Sequence, residues 1–516
     1  MVKNIVANLC KSGDILDNLD INERIAEFKK LLGNTPNIVI KELLLGLNQP
    51  LEAAVIYIDG LVNNDIVDRD LLNPIMLQIK EDLSEKQQVS QYLCKRYIAA
   101  NTKIETDISE AVKLVKTGKS ALLISGEQDI IVINSPGGTY RSIGEPENEI
   151  AIRGSREGFV ENISTNISMI RRKIKDKNLV IENFSVGRSS QTGVALIYMK
   201  SIAEDKVVQR IRERIEAIDV DAITGSGNIE QYIEYHGLTI FPQIICTERP
   251  DKLVALIMEG RAAIVVEGTP FVSVAPCTFF DFFQAVEEYN ERTIMASFIR
   301  ILRLIAVVIV ITMPSVYLTL VKFNAELIPL NFIKPIVKYR MGIALTPFLE
   351  LLTLEITIEI LREGGIRLPA KIGQTLSVIS GIIIGDAAIK SQIVSPSSLF
   401  IIGIATASSF LIPNYDMALV IRFIKFPMLI LANFLGVFGI AAGWFFLLAH
   451  LSTLDSFGVP YFNFQNTDLK DIFIRAPLDK MDKRPSFFAN KNKTRHTNFK
   501  EKVRDKDKKS REEREP

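Results

Sequence analysis

The sequence predicts two tandem α/β modules in a soluble N-terminal half, followed by a polytopic helical bundle that crosses a membrane. Three observations predict this fold class: a pattern that occurs twice in the first half of the chain, a series of long apolar segments between Phe298 and Leu451, and polar sequence on both sides of that series. The mean hydropathy of +0.19 comes mostly from the apolar series. For 516 residues, two or three domains are expected.

An internal duplication defines the soluble half. The segment AAVIYIDGLVNNDIVDRDLL, which starts at Ala53, aligns with VALIYMKSIAEDKVVQRIRERI, which starts at Val194. Farther along, TGKSALLISG from Thr117 aligns with EGRAAIVVEG from Glu259. Each copy has a buried strand, a polar turn, a helix and a later strand that ends at a glycine, which is typical of an α/β module. The aligned pairs are Tyr57 with Tyr198, Leu61 with Ile202, Val67 with Val208, Gly118 with Gly260, and Gly126 with Gly268.

These patterns divide the chain into six predicted parts. The first residues lack the apolar core and cleavage site of a secretory signal, so the soluble half is expected in the cytoplasm. The parts are an N-terminal extension (1–48), the first α/β module (49–140), a charged linker or helix (141–180), the second α/β module (181–296), a transmembrane domain of four to six segments (297–451) and a basic, partly disordered C-terminal tail (452–516).

Composition and motifs argue against several functional classes. A formal net charge of +1 gives no reason to expect a nucleic-acid partner. The four cysteines are far apart and the chain has only three histidines, so neither a disulfide framework nor a metal site is predicted. The TGKS stretch at Thr117 lacks the first glycine of a phosphate loop and precedes a strand, and no catalytic group of side chains stands out. The sequence therefore predicts neither an enzyme nor a bound cofactor.

The apolar series contains five candidate membrane segments. The first, from Phe298, has Arg300 and Arg303 at its start, as the positive-inside rule expects for a helix that follows a cytoplasmic domain. Five full crossings would place the basic tail opposite the soluble half, although basic segments favour the cytoplasmic side. Either one segment does not cross fully, or a further one lies around MALVIRFIKF. The other four segments are Ile343 to Leu361 and those that begin at Ile372, Ser397 and Pro427.

The second of these segments carries carboxylates, which are costly in a bilayer and are functional candidates there. It is short, follows Pro347 and ends at Gly364 and Gly365, so it is the best candidate for a re-entrant or broken helix. On a helix its acidic residues from Glu355 onwards recur every four positions and share one face. A second polar stripe, which begins at Glu350, falls on roughly the opposite face. The predicted ion-path residues are Glu350, Glu355, Glu359, Thr353 and Thr357.

Other charges near the segment ends have a structural interpretation. Glu359 and Glu363 can lie at the headgroup level and pair with Arg362, Arg367 or Lys371. Asp386 and Lys390 are one helical turn apart and are expected to pair with each other. The candidates for structural ion pairs are Glu363, Arg367, Asp386 and Lys390.

An ordered series of motifs between Val180 and Phe462 resembles the A subunit of bacterial spore germination receptors, the GerA family. The motifs include TERPDKLVALIMEGRAAIVVEGTPF, FFDFFQAVEEYNER, LEITIEILREGGIRLP, IGQTLSVISGIIIGDAAI, SFLIPNYDMAL and SFGVPYF. The N-terminal repeat and the basic tail match less distinctly. Gly364 and Gly365 stand where the family usually has Ala-Gly, and Asp386 stands where a glutamine is common, so this chain departs from the family pattern near the ion-path residues.

The resemblance implies a multi-pass subunit of a nutrient receptor in the spore inner membrane, which works with B and C subunits and forms homo-oligomers in the lipid bilayer. It implies that the A subunit releases ions when the nutrient binds. In an oligomer, Glu355 and Glu359 would form acidic rings that favour cations. Two other classes stay open: an ion-coupled secondary transporter, and a non-conducting scaffold whose acids pair with basic residues of a partner.

Overall fold

A computed structural model describes residues 20–477 apart from 33–36, 47–49, 84–85, 87, 138–141, 368–384 and 464–471, and beyond them residues 481, 483–485, 488 and 490–495. The chain divides into two units, Met1–Tyr140 and Arg141–Pro516. The second β-sheet and the apolar helices belong to the same unit. The predicted segment that begins at Ile372 lies mostly outside the described residues.

An antiparallel sheet forms the centre of the first unit, with the strand order β1-β2-β4-β5-β3. Its strands are β1 (Ile38–Leu45), β2 (Leu51–Ile58), β3 (Thr102–Glu105), β4 (Ser120–Ile124) and β5 (Ile130–Ile133). One face is covered by α1 (Ile21–Leu32) and α3 (Ile108–Lys116), and the other by a mostly π-helical stretch (64–78) and α2 (Val89–Arg96). Both faces are therefore covered, and this is why every residue of β4 and β5 is buried.

A second antiparallel sheet lies in the second unit, with the strand order β6-β7-β9-β10-β8. Its strands are β6 (Leu179–Val186), β7 (Thr192–Met199), β8 (Ile245–Thr247), β9 (Ala262–Val266) and β10 (Val272–Ala275). The accompanying helices are α4 (Ile163–Lys173), α5 (Asp205–Glu216), α6 (Ser226–Ile233) and α7 (Pro250–Met258). The helices α5 and α6 cover one face of this sheet, and α4 and α7 cover the other.

The two sheets have the same strand order when each is numbered from its own first strand. The tyrosines aligned in the sequence, Tyr57 and Tyr198, lie on equivalent strands β2 and β7. The aligned glycines also share a backbone conformation, because Gly118 and Gly260 have φ of 88° and 99°. A left-handed φ strains any residue with a Cβ atom, so glycine is needed at both positions. The same conformation occurs at Gly126 and Gly268.

Helices form the rest of the second unit. The helix α8 (Thr293–Lys322) follows two 3₁₀ turns (Phe279–Phe283 and Val286–Asn290). The helices that follow it are α9 (Leu330–Arg340), α10 (Pro347–Ile366), α11 (Pro396–Ser409), α12 (Tyr415–Leu435) and α13 (Val437–Thr453). Among the described residues, α8 and α12 are each long and apolar enough to cross a membrane, and α11 and α13 are shorter apolar helices.

One apolar core joins the second sheet to these helices. Ile197 and Val265 of the sheet belong to the same buried cluster as Val310 of α8 and Met417 of α12. At the other end of α8, Lys322 Nζ donates to the backbone oxygen of Asn433 in α12 at 2.7 Å. The helices α8 and α12 therefore run parallel, away from the sheet.

One sequence prediction about helix boundaries is wrong. The segment that begins at Pro427 is expected to form one crossing, but the helix ends at Leu435 and a new one begins at Val437, because Gly436 turns the chain at a φ of 57°. The helix α12 instead includes the whole of MALVIRFIKF, the place named as a possible further segment. The glutamate helix α10 runs from Pro347 to Ile366 and so ends next to Gly365; that it is re-entrant stays a prediction.

The chain returns to the second sheet directly after α13. A hairpin of β11 (Asp455–Ser456) and β12 (Val459–Pro460) places Phe457, which is 1% exposed, in the core beside α5 and α6. Arg210 Nη1 of α5 donates to the Phe457 carbonyl at 2.8 Å. Residues of the tail also contact this part of the unit, since Arg484 Nε donates to the carbonyl of Met258 at the end of α7.

Candidate ion-path site

The acidic helix α10 is fixed at its beginning by a buried carboxylate. Glu350 is fully buried, and its two oxygens accept hydrogen bonds from Arg340 Nη1 at 2.7 Å and from the backbone N–H of Ser395 at 2.5 Å. Ser395 caps α11, so the Glu350 charge lies at the N-terminus of that helix, where a negative charge is stabilised. One carboxylate therefore joins α9, α10 and α11.

A second group of charges joins α10 to α12. Lys425 Nζ of α12 forms an ion pair with Glu355 and a second one with Glu359 Oε1 at 3.1 Å. Arg422 Nη1, one turn earlier on α12, lies 3.1 Å from Glu359 Oε2. We call these four residues, Glu355, Glu359, Arg422 and Lys425, the central charge cluster.

The central charge cluster is buried among apolar helices. The side chains of Glu355 and Lys425 are 2% and 7% exposed. Lys425 is the middle residue of the 21-residue helix α12, and a rise of about 1.5 Å per residue places it about 15 Å from either end of the helix. The ion pairs of Lys425 are thus made at half the length of α12, and Glu359, at 27%, is the most exposed member of the cluster.

The net charge of the four cluster residues is zero, because two carboxylates face two basic groups. Their hydrogen bonding is incomplete, since Glu355 Oε1 is buried without a hydrogen-bond partner among the described residues. A buried polar atom without a partner is costly. Glu355 is therefore the member of the cluster that gains most from a change in its surroundings.

The other predicted ion-path residues are not brought into this cluster. Thr353 is exposed on α10, and its backbone carbonyl accepts a hydrogen bond from the hydroxyl of Thr357 at 2.7 Å. The structural pairs lie in contact: Glu363 Oε1 is 2.6 Å from Arg367 Nη2, and Asp386 Oδ2 is 2.6 Å from Lys390 Nζ. These four side chains are more than half exposed, so each pair contributes little to stability.

The sequence pattern did not identify the basic partners. The pattern predicts Arg362, Arg367 or Lys371 as partners of Glu359, whereas the structure pairs Glu359 with Arg422 and Lys425. A usable signal was present, because these two basic residues are three positions apart in an otherwise apolar helix and so share a face. Such a cluster requires two acidic residues four positions apart on one apolar helix and two basic residues three positions apart on another.

The basic residues at the start of α8 have a structural role that the sequence pattern did not indicate. Arg300 and Arg303 are 1% and 5% exposed and bind the buried carboxylate of Glu288, with Arg300 Nε 2.8 Å from Glu288 Oε2. Glu288 belongs to the second 3₁₀ turn, and the carbonyl of Phe283 accepts a further hydrogen bond from Arg303. These arginines attach α8 to the turns below the second sheet.

A separate, half-buried carboxylate of α6 faces the second sheet. Glu230 Oε1 of α6 accepts hydrogen bonds from Ser273 Oγ at 2.7 Å and from Cys246 Sγ at 2.9 Å. Burial raises the pKa of Glu230, and the two hydrogen bonds oppose that rise only in part. Burial likewise raises the pKa of the Cys246 thiol well above its usual range, which favours its protonated, less reactive form. In the part of the chain that the structure describes, no three His, Cys, Asp or Glu side chains are grouped to hold a metal ion.

The comparison with protein families now decides the assignment. The family described as Bacillus/Clostridium GerA spore germination protein matches residues 26–487. The chain belongs to the GerA family. The match includes the first sheet, α10 and α12, and it extends beyond the series of motifs that began at Val180. This family is one of germination proteins and is not a known family of enzymes.

Individual GerA relatives cover nearly the whole chain. Spore germination protein KA of Bacillus subtilis (strain 168) is 36% identical over 489 residues, which are 94% of this chain and 90% of that protein. Spore germination protein GerLA of Bacillus cereus is 32% identical over 478 residues, 92% of this chain and 96% of that protein. The crystal structure of the N-terminal domain of the A subunit of the Bacillus megaterium spore germinant receptor GerK3 matches 50% of this chain and 95% of its own at 33% identity. Its TM-score of 0.21 is too low to support an argument about the fold.

Proposed function

We propose that this GerA protein is a membrane-embedded subunit of a nutrient receptor that triggers spore germination, and that α10 forms part of its ion path. The observation that carries the proposal is the central charge cluster, which lies between α10 and the membrane-length helix α12. Ionisable groups inside an apolar bundle are costly, and in membrane proteins they mark functional pathways by default. The names of the relatives support the role in germination.

The proposed topology has an even number of crossings. The chain leaves the second sheet through α8, which Glu288 holds, and returns to it at Phe457 directly after α13. If the helices cross a bilayer, both ends of the helical region lie on one side. The basic tail then stays with the soluble half on the cytoplasmic side of the spore inner membrane, as the positive-inside rule favours.

Labelling of single cysteines tests this topology. In a cysteine-free protein, Thr269→Cys in the turn after β9 and Lys493→Cys in the tail are expected to react only from the cytoplasmic side. Labelling of the two positions from opposite sides would exclude an even number of crossings.

In the proposed mechanism, the described arrangement is the closed one. The carboxylates of Glu355 and Glu359 are neutralised by Lys425 and Arg422, so they offer little attraction to a cation. Nutrient binding to the receptor would separate α10 from α12 and expose the carboxylates to water. Rings of carboxylates in an oligomer favour cations, which gives the open path its selectivity.

An exposed apolar stripe supports contact with other subunits. Counting back from the contact of Lys322 with Asn433 places the start of α12 level with about residue 304 of α8. The first ten residues of α8 therefore extend about 15 Å beyond the bundle, yet Ile294 and Phe298 are 82% and 61% exposed. A stripe of this kind outside the bilayer favours a protein partner. We assign to it a neighbouring copy of this chain or a B or C subunit of the receptor.

Neutral substitution of the acids tests the ion path. Glu355→Gln and Glu359→Gln are expected to reduce nutrient-triggered potassium release from spores while the receptor still assembles. Glu363→Gln is the matched control, because Glu363 lies on the same helix and is exposed. Unchanged release in both cluster variants would refute the ion path.

Reconstitution of the purified receptor separates the three functional classes. Single-channel currents that depend on the nutrient favour the channel subunit. Saturable uptake coupled to an ion gradient would favour a secondary transporter, and neither signal would favour a non-conducting scaffold.

A further inference from the structure

An apolar cavity of about 210 Å³ lies where the second sheet meets the helices. Its walls come from the first 3₁₀ turn and from α8, α12 and α13, and every lining side chain is aliphatic or aromatic. Phe283 forms part of the wall on the sheet side, and Val308, Ile311, Ile421 and Trp444 form part of it on the helices.

A cavity with these walls does not suit water or a polar ligand. Among its lining side chains, Trp444 has a polar atom, and its Nε1–H donates to Thr312 Oγ1 at 3.2 Å. Apolar cavities of about 150 Å³ stay dry and take up apolar molecules such as benzene. A larger cavity without polar atoms to offer is therefore a site for a hydrocarbon group.

The rim of the cavity identifies the source of that group. Val308 and Leu448 line the cavity and are 50% and 43% exposed, so it opens on the outer surface of α8 and α13. Under the proposed membrane location, that surface faces hydrocarbon, where phospholipid acyl chains are the abundant molecules. This step rests on the proposed function.

We propose that the cavity binds one acyl chain of a membrane phospholipid. The bound chain touches Phe283, whose carbonyl accepts a hydrogen bond from Arg303, and it touches α8 and α12 on the other side. It fills the space between the turn that holds α8 and the helix α12, which carries the two basic residues of the central charge cluster. The lipid thus braces the junction between the soluble part and the bundle of this unit.

The single tryptophan of the chain makes the site directly observable, because Trp444 lines it. The full-length protein, purified in a nonionic detergent and depleted of lipid, is titrated with phosphatidylcholine that carries bromine atoms on its acyl chains. Bromine quenches tryptophan fluorescence on contact. We expect quenching that reaches a plateau at one lipid per chain and that unbrominated phosphatidylcholine reverses.

Two matched variants locate the effect. Ile311→Phe places a larger ring in the cavity and should abolish the plateau, whereas Phe445→Leu, at a position exposed on α13 outside the cavity, should keep it. If Ile311→Phe does not fold, Leu448→Phe at the rim replaces it. Brominated stearic acid is titrated in parallel, and a plateau with this acid alone would overturn the phospholipid assignment.

The proposal is also overturned if quenching rises with lipid without reaching a plateau, or if the Ile311→Phe protein is quenched as strongly as the unmodified protein. Quenching that depends on protein concentration would likewise overturn it, because a second copy of the chain would then cover the cavity. Flotation of the protein with liposomes tests the membrane location separately. Failure to float contradicts the proposed function, whereas flotation without a plateau contradicts the lipid site alone.

Discussion

Removal of the lysine in the central charge cluster is expected to open the ion path without nutrient. Lys425→Met keeps the length of the side chain and removes its charge. Glu359 still has Arg422, but Glu355 keeps no ion-pair or hydrogen-bond partner, since its Oε1 already lacks one and its Oε2 is paired with Lys425. Arg362 acts on its charge only from beyond ion-pair distance. The contact between α10 and α12 then buries a carboxylate without an ion-pair partner.

The size of the effect follows from the burial of the pair. Breaking a buried ion pair by removal of one partner costs about 3–5 kcal/mol, and the exposed fractions of 7% and 2% call for no discount for solvent. The carboxylate can instead take up a proton, which at pH 7 costs about 3.7 kcal/mol for an ordinary carboxyl with a pKa of about 4.3. The cost of protonation is therefore the upper limit of the free-energy penalty in the Lys425→Met protein. The equilibrium between the closed and the separated helices should therefore shift by up to about 500-fold.

The assay is ion release from spores without nutrient, together with thermal unfolding of the purified protein. Lys425→Met spores should release potassium spontaneously, and the protein should unfold at a lower temperature. The double variant Lys425→Met with Glu355→Gln should retain potassium better and unfold at a higher temperature than the single variant, because it has no buried carboxylate without an ion-pair partner. Lys390→Met is the control, since Lys390 is 74% exposed and its pair with Asp386 is worth about 1 kcal/mol or less.

Two results would refute this reasoning. One is a Lys425→Met protein with the same ion retention and unfolding temperature as the unmodified protein. The other is a double variant that behaves no better than the single one, because the loss would then come from packing and not from the stranded carboxylate.

Three further predictions concern other parts of the second unit. Gly439→Ala should disrupt the contact of α12 with α13, because a Cβ atom at Gly439 would lie 2.1 Å from the carbonyl oxygen of Leu431. Gel filtration of the purified protein tests its folding. The control Gly403→Ala in α11, where nothing lies within 4 Å of the added Cβ atom, should fold normally in the same test. Glu288→Gln should lower the free energy of unfolding by about 3–5 kcal/mol in denaturant titrations, since it removes the buried carboxylate charge that both Arg300 and Arg303 bind. The raised pKa of Glu230 means that the folded protein holds this proton more tightly than the unfolded one, so stability is lost as pH rises above 4.5. Glu230→Gln should flatten that part of the pH profile in thermal unfolding, and an unchanged slope would contradict the assignment.

The repeated soluble pattern was predictable because it depends on local signals. Buried strands and turn glycines recur at fixed positions, and the left-handed φ of Gly118 and Gly260 explains why glycine occurs at both. The strand order was not predictable, because the short strands β3 and β8 pair with strands that follow them in sequence and carry little pattern of their own. Strand pairing depends on contacts distant in sequence, which periodicity does not report.

The acidic helix was predictable as a site, whereas its partners were not. Three carboxylates in one apolar segment are visible in any reading of the sequence. Neutralisation of Glu355 and Glu359 depends on α12, whose bases lie about 70 residues later, and Glu350 pairs with Arg340 of α9. The positive-inside rule also gave Arg300 and Arg303 a place in the topology but could not indicate that they bind Glu288.

The two kinds of contact that α12 makes indicate which helix can move. It packs against α8 through apolar side chains such as Val310 and Met428, and against α10 through the central charge cluster together with apolar side chains such as Leu429. If water enters between two helices, charged side chains regain hydration, which offsets part of the lost attraction. Apolar side chains gain nothing from water, so their separation costs the full hydrophobic term. Of the two contacts, the one between α12 and α10 is therefore the less costly to open to water, which supports the proposed movement of α10.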